Sequence, residues 1–206
     1  MTVSEGAAAG VLLTLVTDGG RSPRDLGSTV AEAAAAGLDY LQIREPQLGD
    51  LELLQVADAA VKAARGSRLR ILVSSRPDVA RLCGAAGVQL PERGLPVSEV
   101  RRGFPGLLIG ASCHSVEAAR RAEAAGADFV LFGAVFGSRG KPAAGVAALA
   151  AVARAVSVPV HAIGGLRPGN AAQAVAAGAR GLAAIGAFLD GPIGPIAARL
   201  RESAGR

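Results

Sequence analysis

Residues 119–135 read ARRAEAAGADFVLFGAV: an alanine-rich segment of helical character, one glycine, then an apolar run. A glycine just past a helix end supplies the left-handed residue that closes the helix. The Phe-Val-Leu run behind it is apolar on both faces, as parallel strands covered on both sides are. The same unit recurs at AEAAAAGLDYLQIRE (31–45), ARLCGAAGVQLPE (80–92) and AQAVAAGARGLAAIGAF (172–188). Further apolar runs stand at VLLTLVT (11–17), LRILVSS (69–75), GLLIGAS (106–112) and VPVHAIGG (158–165), which brings the strands to about eight. Strands alternating with helices in this number predict an α/β fold, a (β/α)8 TIM barrel forming a single domain over 1–206, with an open doubly wound sheet as the alternative.

Composition agrees with one core and narrows the partners. The chain has 206 residues and is 50% hydrophobic, enough for one sizeable core and cramped for two. No apolar run approaches the roughly 18–20 residues that span a bilayer, and the N-terminal stretch carries Glu5 without a basic lead, so no membrane partner and no signal peptide are expected. Cys83 and Cys113 lack metal-type spacing; they read as buried thiols in a reducing, cytoplasmic setting. The net charge of +5 rests on arginines interleaved with acids, and aromatic residues make up only 3%, so nucleic acid is not expected as a partner. A surplus of this size suits a phosphorylated small molecule. Oligomeric state stays open, a homo-oligomer included.

In a barrel the chemistry gathers at the carboxyl ends of the strands, and phosphate commonly sits against the loops after strands seven and eight. HAIGGLRPGNAAQAV (161–175) puts Gly164 and Gly165 at the seventh such end; IGA (185–187) puts Ile185 and Gly186 at the eighth. Bare N–H groups at two adjacent glycine-bearing ends suit an anion. Polar residues after the other runs complete the candidate mouth: Asp18, Gln42, Arg44, Glu45, Ser74, Ser75, Gln89, Ser112 and His114, then Ser138, Arg139 and Lys141. Arg44 and Lys141 suit an anionic group. Glu45 reads either as a general base or as the partner that holds Arg44. His114 reads as a cap beside Ser115 or as an acid/base group, and His161 as a barrel-wall residue unless its ring points inward. Cys113 and His114 are chain neighbours and point to opposite faces, which argues against a nucleophile pair.

In this order, LVTD, LQIRE, GVQLPE, IGASCHSVEAA, GADFVLFGAVFGSRGK, VPVHAIGGLRP and GARGLAAIGAF resemble the thiamin phosphate synthase and TenI family over nearly the whole chain. The resemblance implies a (β/α)8 enzyme of thiamin biosynthesis that binds a thiazole phosphate. Its substrate-binding positions fall on Gln42, Arg44, Ser112, Ser138, Lys141, Gly165, Ile185 and Gly186. The synthase branch joins a pyrimidine diphosphate to a thiazole phosphate, releases pyrophosphate and uses Mg²⁺. Its pattern has a Lys two residues after the Arg, an Asn-Asp pair after strand three and an Asp after strand four; here stand Pro46, Ser74 with Ser75, and Gly94. GVQLP and FGAVF are similar to the TenI branch, which implies a metal-independent thiazole tautomerase. No metal ligand and no cofactor is then expected, Mg²⁺ entering only with the synthase reading. The histidine of that branch's FG-x-VF segment is Ala134 here, which leaves Glu45, His114 and His161, in that order, as catalytic candidates. The expected function is thus a tautomerase, with a divergent synthase and a non-catalytic thiazole phosphate binder as alternatives.

Overall fold

The unit read from the sequence closes on itself. The computed structural model describes residues 10–19, 25–138, 140 and 142–205. Strands β1 (Leu12–Val16), β2 (Tyr40–Ile43), β3 (Arg70–Ser74), β4 (Gly87–Leu90), β5 (Leu108–Cys113), β6 (Phe129–Gly133), β7 (Val160–Ile163) and β8 (Gly181–Ala184) are all parallel and form a closed barrel in chain order, β8 pairing with β1. Helices α1 (Leu26–Ala35), α2 (Asp50–Ala63), α3 (Pro77–Cys83), α4 (Val97–Gly103), α5 (Val116–Ala124), α6 (Val146–Ala155) and α7 (Pro168–Ala176) each link one strand to the next, and α8 (Gly186–Leu189) and α9 (Ile193–Ala204) follow β8. The open-sheet alternative is excluded by the β1–β8 pairing. Gly126, with φ 95°, ends α5 as the glycine-stop pattern requires.

Strand parity sorts the side chains. Leu13, Leu41, Val130 and Phe132 point outward and pack with Val30, Ala57, Leu149 and Leu200 of the helices. Val16, Leu131 and Ala183 point inward and meet Ile163 and Ile185. Phe132 is 1% exposed. Truncating it to Ala is expected to cost about 3–5 kcal/mol.

The amino end of the barrel interior is plugged by rings. Phe129 and His161 stack with centroids 4.6 Å apart, and Tyr40 lies 5.9 Å from Phe129 and 6.0 Å from His161. Gly181, opposite His161 in register, leaves room for the imidazole: a Cβ there would come within 2.6 Å of it. Higher in the interior the side chains turn polar. Gln42 donates to Ser74 Oγ at 2.7 Å and Gln89 to Ser112 Oγ at 3.1 Å. These pairs bridge β2 to β3 and β4 to β5.

One device fixes the base of the barrel twice. In Gly37-Leu38-Asp39-Tyr40, Asp39 accepts from Leu13 N at 2.9 Å and pairs with Arg68 and with Arg201 of α9. In Gly126-Ala127-Asp128-Phe129, Asp128 accepts from Ile109 N at 2.7 Å and pairs with Arg101 at 2.6 Å. Each aspartate thus ties the strand it opens to the strand before it. Among the described residues no helix is long and apolar enough to cross a membrane.

Candidate active site

At the carboxyl ends of the strands lies a cavity of about 1130 Å³. Gln42, Ser74, Gln89 and Ser112, the two bridged pairs, line its polar part, and Val16, Leu131, Ile163 and Ile185 its apolar part. Gln42 and Gln89 are 5% and 3% exposed. Their amide nitrogens are committed to the serines, which orients the side chains before any ligand arrives.

The β7–α7 and β8–α8 loops form one wall. Gly164 and Gly165 have φ of 99° and 64°, in the left-handed region. A Cβ on Gly165 would come within 2.6 Å of Gly137 O, so the loop is also packed too tightly for a side chain. Asn170, 6% exposed, staples it: Oδ1 accepts from Arg167 N and Nδ2 donates to Gly165 O, both at 2.9 Å. Beside it, after β8, stand Ile185 and Gly186, with Ala187 and Asp190. Such a wall presents backbone N–H groups to an anion.

Charged groups stand around the rim in pairs. Arg44 reaches Asp18 at 2.6 Å, and its own N–H is accepted by Thr17 Oγ1 at 2.9 Å. Glu45 accepts from Gln47 at 2.8 Å rather than from Arg44, so the Glu45–Arg44 pairing considered from the sequence is not formed. His114 Nδ1 lies 2.5 Å from Glu92 Oε2, across the β4–α4 and β5–α5 loops. Ser115 alone caps α5, accepting from Ala118 N at 3.1 Å. Arg76 is forked onto Asp78 at 2.9 and 2.7 Å and also held by Asp50; these bonds raise its pKa.

Gln42, Arg44, Glu45, Gln89, Ser112, His114, Ser138, Gly164, Gly165, Ile185 and Gly186 all line this one cavity. Lys141 and Arg139 lie outside the described residues. His161 departs from the expected set. Its ring points inward but sits in the plug beneath the cavity, 2% exposed, and lines no part of it. Burial pushes its pKa down to about 4, and Nδ1 has no hydrogen-bond partner among the described residues. It is therefore a neutral packing group and not in place for proton transfer. Cys113 faces the helical shell, its thiol pushed up to about 11 by burial, which fits the absence of a Cys113–His114 pair. Arg76, Glu92, Arg167 and Asp190 also line the cavity and were not singled out from the sequence.

Residues 13–188 match the family model described as thiamine monophosphate synthase. The chain belongs to this family. It is 42% identical over 189 residues to the thiamine-phosphate synthase of Methanoculleus marisnigri, covering 89% of this chain and 88% of that protein. To the thiamine-phosphate synthase of Anaeromyxobacter dehalogenans it is 40% identical over 211 residues, 98% of this chain and 91% of that one. The structure of a thiamine phosphate pyrophosphorylase from Pyrococcus furiosus superposes with a TM-score of 0.88 at 30% identity, over 95% of this chain and 96% of that one. These relatives carry the synthase name, where the sequence motifs had pointed toward the tautomerase branch.

Within the family, the Mg²⁺ of the synthase branch can be tested against this donor set. Ser75 and Gly94 stand where the pattern expects carboxylates, and both are exposed. The carboxylates that do line the cavity include Asp18, Glu45 and Glu92, bonded to Arg44, Gln47 and His114 respectively. No group of three or more His, Cys, Asp or Glu among the described residues could hold a metal ion. A hard divalent cation takes six or more oxygen ligands, carboxylates prominent among them. The residues at the family's metal position do not fit it.

Proposed function

We propose that the protein works as a thiamine-phosphate synthase: it seats a thiazole monophosphate against Gly164, Gly165, Ile185 and Gly186 and joins it to a pyrimidine diphosphate held in the same cavity. The observation that carries this reading is the size and division of the cavity. At about 1130 Å³ it exceeds the roughly 300–1,000 Å³ usual for a single small ligand. It also has two unlike halves, a glycine-walled anion seat at β7–β8 and a polar, arginine-rimmed half at β2–β5. The full-length similarity to proteins named thiamine-phosphate synthase supports the same assignment.

In the coupling step the thiazole nitrogen attacks the methylene carbon of the pyrimidine diphosphate. The C–N bond forms, the C–O bond to the diphosphate breaks, and the diphosphate leaves with the electron pair. Arg44, held by Asp18 and by its own N–H bond to Thr17, faces this half of the cavity and meets the departing charge. Gln42 and Gln89 offer fixed amide oxygens to the pyrimidine's donors. Apolar Val16, Leu131 and Ile163 keep water from the carbon under attack. No step here runs through a metal.

A second reading is favoured by Ser75 and Gly94: proton transfer within a bound thiazole phosphate, which needs neither metal nor second substrate. Glu45 and the His114–Glu92 pair are then the acid/base groups in reach. Turnover with both substrates, followed by diphosphate release with and without Mg²⁺, separates the two. Stoichiometric diphosphate and thiamine phosphate establish the synthase. Consumption of the non-aromatic thiazole carboxylate tautomer, with no diphosphate under either condition, replaces it by the tautomerase.

A further inference from the structure

We propose that Arg167 is the side chain that recognises the phosphate group in this cavity, selecting a doubly charged phosphate ester over the corresponding alcohol; this rests on the phosphate seat proposed above. Three described arginines line the cavity: Arg44, Arg76 and Arg167. Arg44 is bound to Asp18, and Arg76 to both Asp78 and Asp50. Both of those guanidiniums already hold carboxylate partners. Arg167 has no acidic partner among the described residues and is exposed. Among the described arginines of the cavity it is thus the one whose fork no carboxylate occupies.

Its position matches that role. Arg167 follows Gly165 by two residues, and its backbone is pinned by the Asn170 bond that also fixes the Gly165 carbonyl. The side chain therefore starts from a fixed point beside the glycine seat, and its fork can close over an anion whose other oxygens face backbone N–H groups. Backbone donors alone bind anions without separating a phosphate from other acceptors. A guanidinium adds a term that scales with the charge on the ligand. The dianion is the preferred form, so affinity falls as the phosphate takes its second proton near pH 6.

The test is titration calorimetry of the full chain with the thiazole phosphate, the thiazole alcohol and inorganic phosphate. The variants are Arg167→Ala, Arg167→Lys, and Arg199→Ala in a groove outside the cavity as a control. Arg167→Ala is expected to weaken both phosphate ligands roughly 10- to 100-fold and leave the alcohol unchanged. Arg167→Lys recovers part of the loss, and the control matches the parent protein. Equal phosphate affinity in Arg167→Ala and parent overturns the proposal, as does a parent that does not prefer phosphate to alcohol. Arg167-dependent binding of inorganic phosphate without any coupling turnover supports the proposal and removes the synthase reading, so the two fail separately.

Discussion

The plugged base of the barrel predicts a specific acid sensitivity. His161 is 2% exposed, has no partner at Nδ1 among the described residues, and its pKa is pushed down to about 4 from 6.5 by burial. The folded state therefore binds this proton less readily than the unfolded chain. The contribution of neutral His161 to stability is complete above pH 6.5 and is lost as the pH falls toward 4. At 1.36 kcal/mol per unit, the full window is worth about 3 kcal/mol, and about 2 kcal/mol of it is gone by pH 5. Replacing His161 by Phe keeps a ring against Phe129 and removes the titration. Urea denaturation of parent and variant from pH 7.5 to 5 isolates the effect, because every other titrating group is common to both and cancels in the difference. The parent should lose about 2 kcal/mol relative to His161→Phe across that range. A difference that stays constant to within about 0.5 kcal/mol would refute the assignment of a neutral, unpartnered imidazole to the plug.

Three further outcomes are expected. Gly165→Ala forces a Cβ within 2.6 Å of Gly137 O at a φ of 64°, so strain of about 1–3 kcal/mol and loss of thiazole phosphate binding should appear together in thermal denaturation and calorimetry. Asp39→Ala leaves Leu13 N without its acceptor and Arg68 without its carboxylate, while Arg201 keeps its bonds to Ala36 O and Gly37 O; a stability loss of about 2 kcal/mol at unchanged ligand affinity is expected from chemical denaturation. Ser75→Asp combined with Gly94→Asp returns carboxylates to the family's metal positions, and Ser75 already has a φ of 64° that aspartate tolerates, so coupling turnover should respond to Mg²⁺ more strongly in the variant than in the parent.

The barrel was readable because its local signals repeat: a helix, a glycine stop and a strand apolar on both faces. The position of the proposed anion seat follows from chain order alone, since the seventh and eighth strands of a closed barrel are neighbours. His161 was harder. In a strand such as VHAI, buried on both faces, hydrophobicity does not reveal which residues point inward, and the ring partners Phe129 and Tyr40 come from distant strands. The rim pairs were hidden for a similar reason: Arg44 meets Asp18 and Arg76 meets Asp50, each 26 residues apart, and His114 meets Glu92 at 22. The role proposed for Arg167 is not legible in the sequence, because it rests on what the other arginines are bound to. Nothing in GGLRP itself marks it.

The stack of Tyr40, Phe129 and His161 also governs traffic. With rings filling one end of the barrel, the cavity opens, among the described residues, on the side of the strands' carboxyl ends, and a ligand that comes in there goes out the same way. On the synthase reading proposed above, a product still lodged against Gly164 and Gly165 would block the next molecule of thiazole phosphate, so thiamine phosphate should inhibit competitively against that substrate.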